Sequence, residues 1–157
     1  MKKLSIMFII LLLSFTCFAD PSEDEEIIPN EIFIESAKLG IMEDIIKYHD
    51  LGADINALDM FGWSALMWAC QEGHTDIAKY LIDNGADVNY REENSGWTAL
   101  IAASFKGHTE AVILLIEARV NINPDISGFK NISSPIKYAR RFGHTDIINL
   151  LENAGAE

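Results

Sequence analysis

The sequence predicts an all-α solenoid of about four helix-turn-helix units joined by β-hairpin-like loops. Two observations predict it. The chain repeats itself: GHTDIAKYLIDNGADVN, from Gly73 to Asn89, returns as GHTEAVILLIEARVNIN from Gly107 to Asn123 and, shortened, as GHTDIINLLENAGAE from Gly143. Gly62-Trp63 recurs at Gly96-Trp97 after 34 residues, Gly73 at Gly107 after 34 and at Gly143 after 36 more, and Asn56 at Asn89 and Asn123 after 33 and 34. A period near 33–34 marks an array of stacked units. The second observation is internal. Each period spells two short apolar-striped segments broken by glycine, and one such unit cannot cover its own apolar face, so neighbours must stack.

The elements follow in chain order. Residues 1–19 read as a secretory signal peptide: Lys2 and Lys3 give a positive start, Leu4 to Phe15 is almost wholly apolar, and Cys17 and Ala19 are small residues before a cut after Ala19. The apolar run is short of the ~20 residues a spanning helix needs. Its plain Lys-Lys start is of a bacterial kind. A retained anchor and a lipidated Cys17 stand as alternatives, the latter poorly served by the bulk of Phe15 and Thr16. Residues 20–29, DPSEDEEIIP, form an acidic leader with little to bury.

The repeat region runs from 30 to 157, with units at about 30–58, 59–91, 92–125 and 126–157. The first unit lacks a leading turn and carries Asp44 and Lys47 in its second helix, as suits a cap; the fourth has a longer lead, SGFKNISS, and ends as the other cap. In the second unit GWSALMWAC opens the first helix, with Ala65 and Ala69 on one face. Gly73 ends it, where a positive φ costs glycine little. Thr75 is placed to cap the second helix and Asp76 lies in its first turn. Ile77, Ala78, Leu81 and Ile82 make its stripe, and Gly85 stops it. The third unit has Arg119-Val120 where the second has Gly85-Ala86, so Arg119 is expected in a left-handed conformation at a cost of roughly 1 kcal/mol.

These motifs resemble the ankyrin repeat. The likeness is carried by DMFGWSALMWA from Asp59, by GHTDIAKYLIDNGADVN, and by GWTALIAASFKGHTEAVILLI from Gly96. The T-P-L-H-x-A core of that family appears altered, as Ser64-Ala65-Leu66-Met67, Thr98-Ala99-Leu100-Ile101 and Ser134-Pro135-Ile136; its histidine is missing throughout. The likeness covers about residues 30–157 and implies a non-catalytic module that binds a protein through its loop tips and first-helix face. By position, the resemblance offers Met60, Phe61, Trp63, Gln71 and Glu72 in the second unit, Asn94, Ser95, Trp97, Phe105 and Lys106 in the third, and Arg141 and Phe142 in the fourth. Aromatics and arginine are typical interface anchors. The competing reading packs Trp63 and Trp97 on their own loops. Trp68 falls in the core register.

Charge and motif content exclude other classes. The formal charge is −12, and a cut after Ala19 removes two lysines and no acid, leaving −14. Such a surface repels nucleic acid and anionic lipid, so membrane contact would come only through an uncleaved signal segment or a lipidated Cys17. After the cut Cys70 is the single cysteine, expected as a small buried hydrophobe. There is no GxSxG, no phosphate loop, no HExxH and no CxxC. His74, His108 and His144 lie one unit apart, ~10 Å in a helix stack, whereas zinc ligands stand ~2 Å from one metal. The resemblance makes this histidine a structural residue that bonds backbone between units. No cofactor, metal or small-molecule substrate is expected. An exported, periplasmic or secreted binder of another protein is the leading expectation. A self-associating structural protein is the alternative, and an enzyme using His74 or His108 a remote one.

Overall fold

The computed structural model describes residues 29–156, so the signal segment and most of the acidic leader lie outside the described residues. Among the described residues eight helices fall in four pairs: α1 (Pro29–Leu39) with α2 (Met42–Asp50), α3 (Ala65–Glu72) with α4 (Thr75–Asp83), α5 (Ala99–Lys106) with α6 (Thr109–Glu117), and α7 (Pro135–Phe142) with α8 (Thr145–Asn153). The first helices pack side by side as one layer and the second helices as another. Antiparallel bridges Leu58–Ser64 and Arg91–Thr98 close the loops ahead of α3 and α5, giving the expected hairpin-like connections. The all-α solenoid is as the sequence predicts.

One apolar core runs through all four pairs, from Phe33 and Ile45 through Leu66, Ile77 and Leu81, Leu100 and Leu115, to Ile136, Ile147 and Leu151. Each large side chain buried there is worth about 1.5–3 kcal/mol, gained only because a neighbouring unit covers it. Small residues at Ala65, Ala69, Ala99 and Ala103 are fully or almost fully buried and let first helices approach closely. Cys70 is buried as expected, and burial pushes its thiol up to about 12, which leaves it unreactive.

The capping scheme corrects the sequence reading. Thr75 is the first residue of α4, and His74 holds the cap position without a side-chain cap bond. The helix begins one residue earlier than that reading requires, and Thr75 turns back instead: its backbone N–H donates to the Gly73 carbonyl at 3.0 Å and its hydroxyl to the same oxygen at 3.5 Å. Side-chain caps belong instead to α3 and α5, while Ser134 caps α7 without a side-chain bond. Ser64 Oγ accepts from Met67 N–H at 3.3 Å and Thr98 Oγ1 from Ile101 N–H at 3.2 Å. Arg119 does adopt a left-handed conformation, φ 60°, where Gly85 has φ 93°.

The histidines join units. A Cβ built on Gly40, Gly73 or Gly107 would stand 2.5, 2.6 and 2.6 Å from the rings of His74, His108 and His144 respectively. Each ring therefore lies on the helix-ending glycine of the preceding unit. His74 Nε2 donates to the Lys38 carbonyl at 3.2 Å and His144 Nε2 to the Phe105 carbonyl at 3.3 Å. A second set of cross-unit bonds lies at the outer turns. The Asp54, Asp87 and Asn121 amides donate to the Oδ1 atoms of Asn30, Asn56 and Asn89, at 2.8, 2.8 and 2.7 Å. Asn123 Nδ2 donates to the Gly155 carbonyl at 3.0 Å. The recurring asparagine was visible in the sequence; its stapling role was not.

Candidate functional site

The face formed by the first helices and the loops ahead of them carries most of the sequence-derived candidates. In the second unit the loop is organised by Asp59. Its Oδ1 accepts from the Phe61 and Trp63 amides, both at 2.8 Å, and its Oδ2 from the Trp68 indole N–H at 2.8 Å. With the backbone so held, Met60 and Phe61 stand outward at 90% and 65% exposure. They are the most open large apolar side chains among the described residues.

In the third unit the same place is held by Glu92, which is only 2% exposed. Its Oε1 accepts from the Asn94 amide at 2.8 Å and from Asn94 Nδ2 at 2.9 Å, and its Oε2 from the Ser95 amide at 2.6 Å and from the Ser95 hydroxyl. Burial raises the Glu92 pKa, but the bonds from Ser95 and Asn94 outweigh it and hold the carboxyl below its ordinary value. Asn94 and Ser95 thus spend their polar groups on their own loop.

Between and beyond these loops the aromatic rings form one row. Trp68 lies 4.7 Å from Trp63, Trp63 5.6 Å from Trp97, and Trp97 5.8 Å from Tyr138 (centroid distances). Phe105 meets Trp97, Tyr138 and Phe142 edge-on at 5.5, 5.4 and 5.0 Å. Lys38 Nζ covers the outer ring at the other end, 4.7 Å above Trp68. Edge-to-face pairs of this kind add about 0.5–1.5 kcal/mol each beyond area burial. Trp63 and Trp97 therefore pack on each other across units, and not only on their own loops.

Trp68 departs from its expected core position: it is half-buried, because its indole N–H must reach Asp59 at the surface. Tyr138, not singled out in the sequence, completes the row. Its signal was available, since it stands in α7 where Trp68 stands in α3. Gln71 Nε2 donates to Glu72 Oε1 at 3.0 Å, apart from the row. Lys106 and Arg141 are exposed, and Phe142 is 47% exposed. Among the described residues no group of three or more His, Cys, Asp or Glu stands where it could hold a metal ion. None of the described helices is long and apolar enough to cross a membrane.

An array of stacked helix pairs with glycine-histidine turns and hairpin loops defines a class of repeat protein, and comparison with known proteins gives the class its name. The family model for ankyrin repeats (3 copies) matches residues 33–126 and 95–157, so the chain belongs to the ankyrin-repeat family. Over 138 residues, 87% of this chain and 28% of the relative, it is 27% identical to the ankyrin repeat, SAM and basic leucine zipper domain-containing protein 1 of Dasypus novemcinctus. It is 46% identical over 52 residues to protein phosphatase 1 regulatory subunit 27 of Homo sapiens, 33% of this chain and 32% of that protein. It is 37% identical over 54 residues to ankyrin repeat domain-containing protein 40 of Mus musculus, 34% of this chain and 15% of that protein. The chain spans about a third or less of the length of these relatives. Ankyrin repeats are typically protein–protein interaction modules and generally non-catalytic.

Proposed function

We propose that this chain is a non-catalytic binding module that takes a protein partner along the loop-tip and first-helix face. The observation that carries the reading is the exposure of Met60 and Phe61 in the loop that leads into Trp63 and a continuous aromatic row. Exposed large apolar side chains grouped on one loop usually mark a contact site, and aromatic anchors dominate interface energies. The expected test compares the wild-type chain with one in which Met60, Phe61 and Phe142 are alanine. All three are exposed, so the core stays intact and circular dichroism should not change. A protein retained by the wild type and lost by the variant supports the reading. Equal retention by both overturns it.

Export belongs to the same proposal. It rests on the Lys2-Lys3 start, the apolar run Leu4–Phe15 and the small residues Cys17 and Ala19. N-terminal sequencing of the protein recovered outside the cytoplasm should begin at Asp20. A chain that begins at Met1 and stays in the cytoplasm overturns it.

A further inference from the structure

The charges on the binding face are not spread like those on the rest of the molecule. The whole chain carries −12, yet α7, PIKYARRF, has three cations and no acid. The place in each first helix next to its closing glycine is Glu72 in α3, Lys106 in α5 and Phe142 in α7; one position earlier stand Gln71, Phe105 and Arg141. The C-terminal half of the face therefore carries Lys106, next in sequence to Phe105, and Arg141, which lies over a ring. Both cations are exposed, and among the described residues no carboxylate lies within ion-pair distance of either. Arg140 differs, since it is held by Glu152 at 2.8 Å. The Arg141 guanidinium lies 5.8 Å above the Phe142 ring, and Phe142 continues into Phe105, Tyr138 and Trp97.

From this juxtaposition we infer that the partner presents an acidic segment with interspersed aromatic or aliphatic side chains, seated across the third and fourth units. Its carboxylates pair with Lys106 and Arg141 while its apolar side chains lie on Phe105, Phe142 and the rings behind them. The inference rests on the protein-binding reading above and names the chemistry of the partner. Charge complementarity selects it. A chain this acidic repels an acidic ligand over most of its surface, so the two unpaired cations on this face decide both where the segment docks and in which register.

The test is fluorescence anisotropy on the purified chain with three labelled probe peptides of equal length. One alternates Glu or Asp with Phe and Leu, the second replaces its acids by Lys, and the third by Ser. The acidic peptide is expected to bind at least tenfold more tightly than the lysine peptide, and to weaken as salt rises from ~50 to ~500 mM. Reversing both charges, Lys106→Glu with Arg141→Glu, should remove that preference without altering the melting temperature. Equal binding of the acidic and serine peptides, unaffected by the reversal but lost when Phe105 and Phe142 become alanine, overturns the acidic partner and leaves the apolar binding face standing. No binding of any peptide overturns the partner class, and the capture comparison with Met60, Phe61 and Phe142 then decides the binding reading separately.

Discussion

The loops of the second and third units perform one task with different parts. Asp59 to Trp63 is five residues and Glu92 to Trp97 is six. In both, the first residue's amide donates to the tryptophan carbonyl, at 2.9 and 2.8 Å. In both, a carboxylate gathers the amides in between. The inserted residue moves those amides away, and glutamate's extra methylene follows them. This insertion is also why Asn56 and Asn89 are 33 apart while Gly62 and Gly96 are 34 apart. The shorter loop throws Met60 and Phe61 outward, whereas the longer one closes over its carboxylate, engages Asn94 and Ser95, and leaves Glu93 exposed. Equivalent loops of an array thus share a scaffold bond and differ in what they show a partner.

The comparison predicts unequal costs. Glu92→Ala leaves several donors of a closed loop unmet and should cost about 3 kcal/mol, read as a shift in the urea midpoint. Asp59→Ala should cost about half as much, because its donors lie nearer to water. Equal losses would mean that the two carboxylates do the same structural work and that burial at Glu92 is incidental.

Acid should separate the loops next. Bonds from Ser95 and Asn94 hold the folded Glu92 carboxyl below its ordinary value. Its contribution is therefore complete above the unfolded pKa of about 4.3 and is lost as pH falls through the lower, folded value. Between pH 5 and pH 3 the wild type should lose stability more steeply than Glu92→Gln. Parallel slopes for the two proteins would show that the carboxylate charge is not what the loop uses.

The helix ends offer a smaller version of the same contrast. Gly85 and Arg119 occupy equivalent left-handed positions, and a Cβ on Gly85 would meet nothing within 4 Å. Backbone strain alone therefore separates them. Arg119→Gly should raise stability by about 1 kcal/mol, or roughly 4 °C in melting temperature; a level or lower melting point refutes this. The smallest effect is expected at Glu152→Gln. The Arg140–Glu152 pair is about half exposed on both sides, so its loss should cost about 0.5 kcal/mol or less, within the scatter of a thermal melt at high salt.

Much of this was legible in the sequence. The period named the array, glycine placed the helix ends, and Arg119 declared its own strain by standing where Gly85 stands. Other features depended on pairs 30 to 40 residues apart. His74 showed as a repeated letter, but that its ring covers Gly40 follows only from stacking. Trp68 has an apolar ring at a helical spacing that reads as core, and the polar edge that draws it to Asp59 is invisible to a hydrophobic pattern. Thr75 looked like a cap because threonine often is one, but the helix starts at Thr75 itself and its hydroxyl turns back to the Gly73 carbonyl. For the same reason Asn94 and Ser95 read as open loop residues, when a neighbouring glutamate had claimed them.

The glycine-histidine contacts have a direction. Each ring belongs to the later unit and each covered glycine to the earlier one, so Gly40, Gly73 and Gly107 are roofed while a Cβ on Gly143 meets nothing within 4 Å among the described residues. Alanine at Gly143 would meet only the strain of a positive φ; at Gly73 it would also push the His108 ring aside and loosen the third unit. Damage in this molecule therefore propagates unevenly. A fault at the fourth turn displaces no ring among the described residues, while the same fault two turns earlier unseats the neighbour on which the aromatic row, and with it the recognition face, is built.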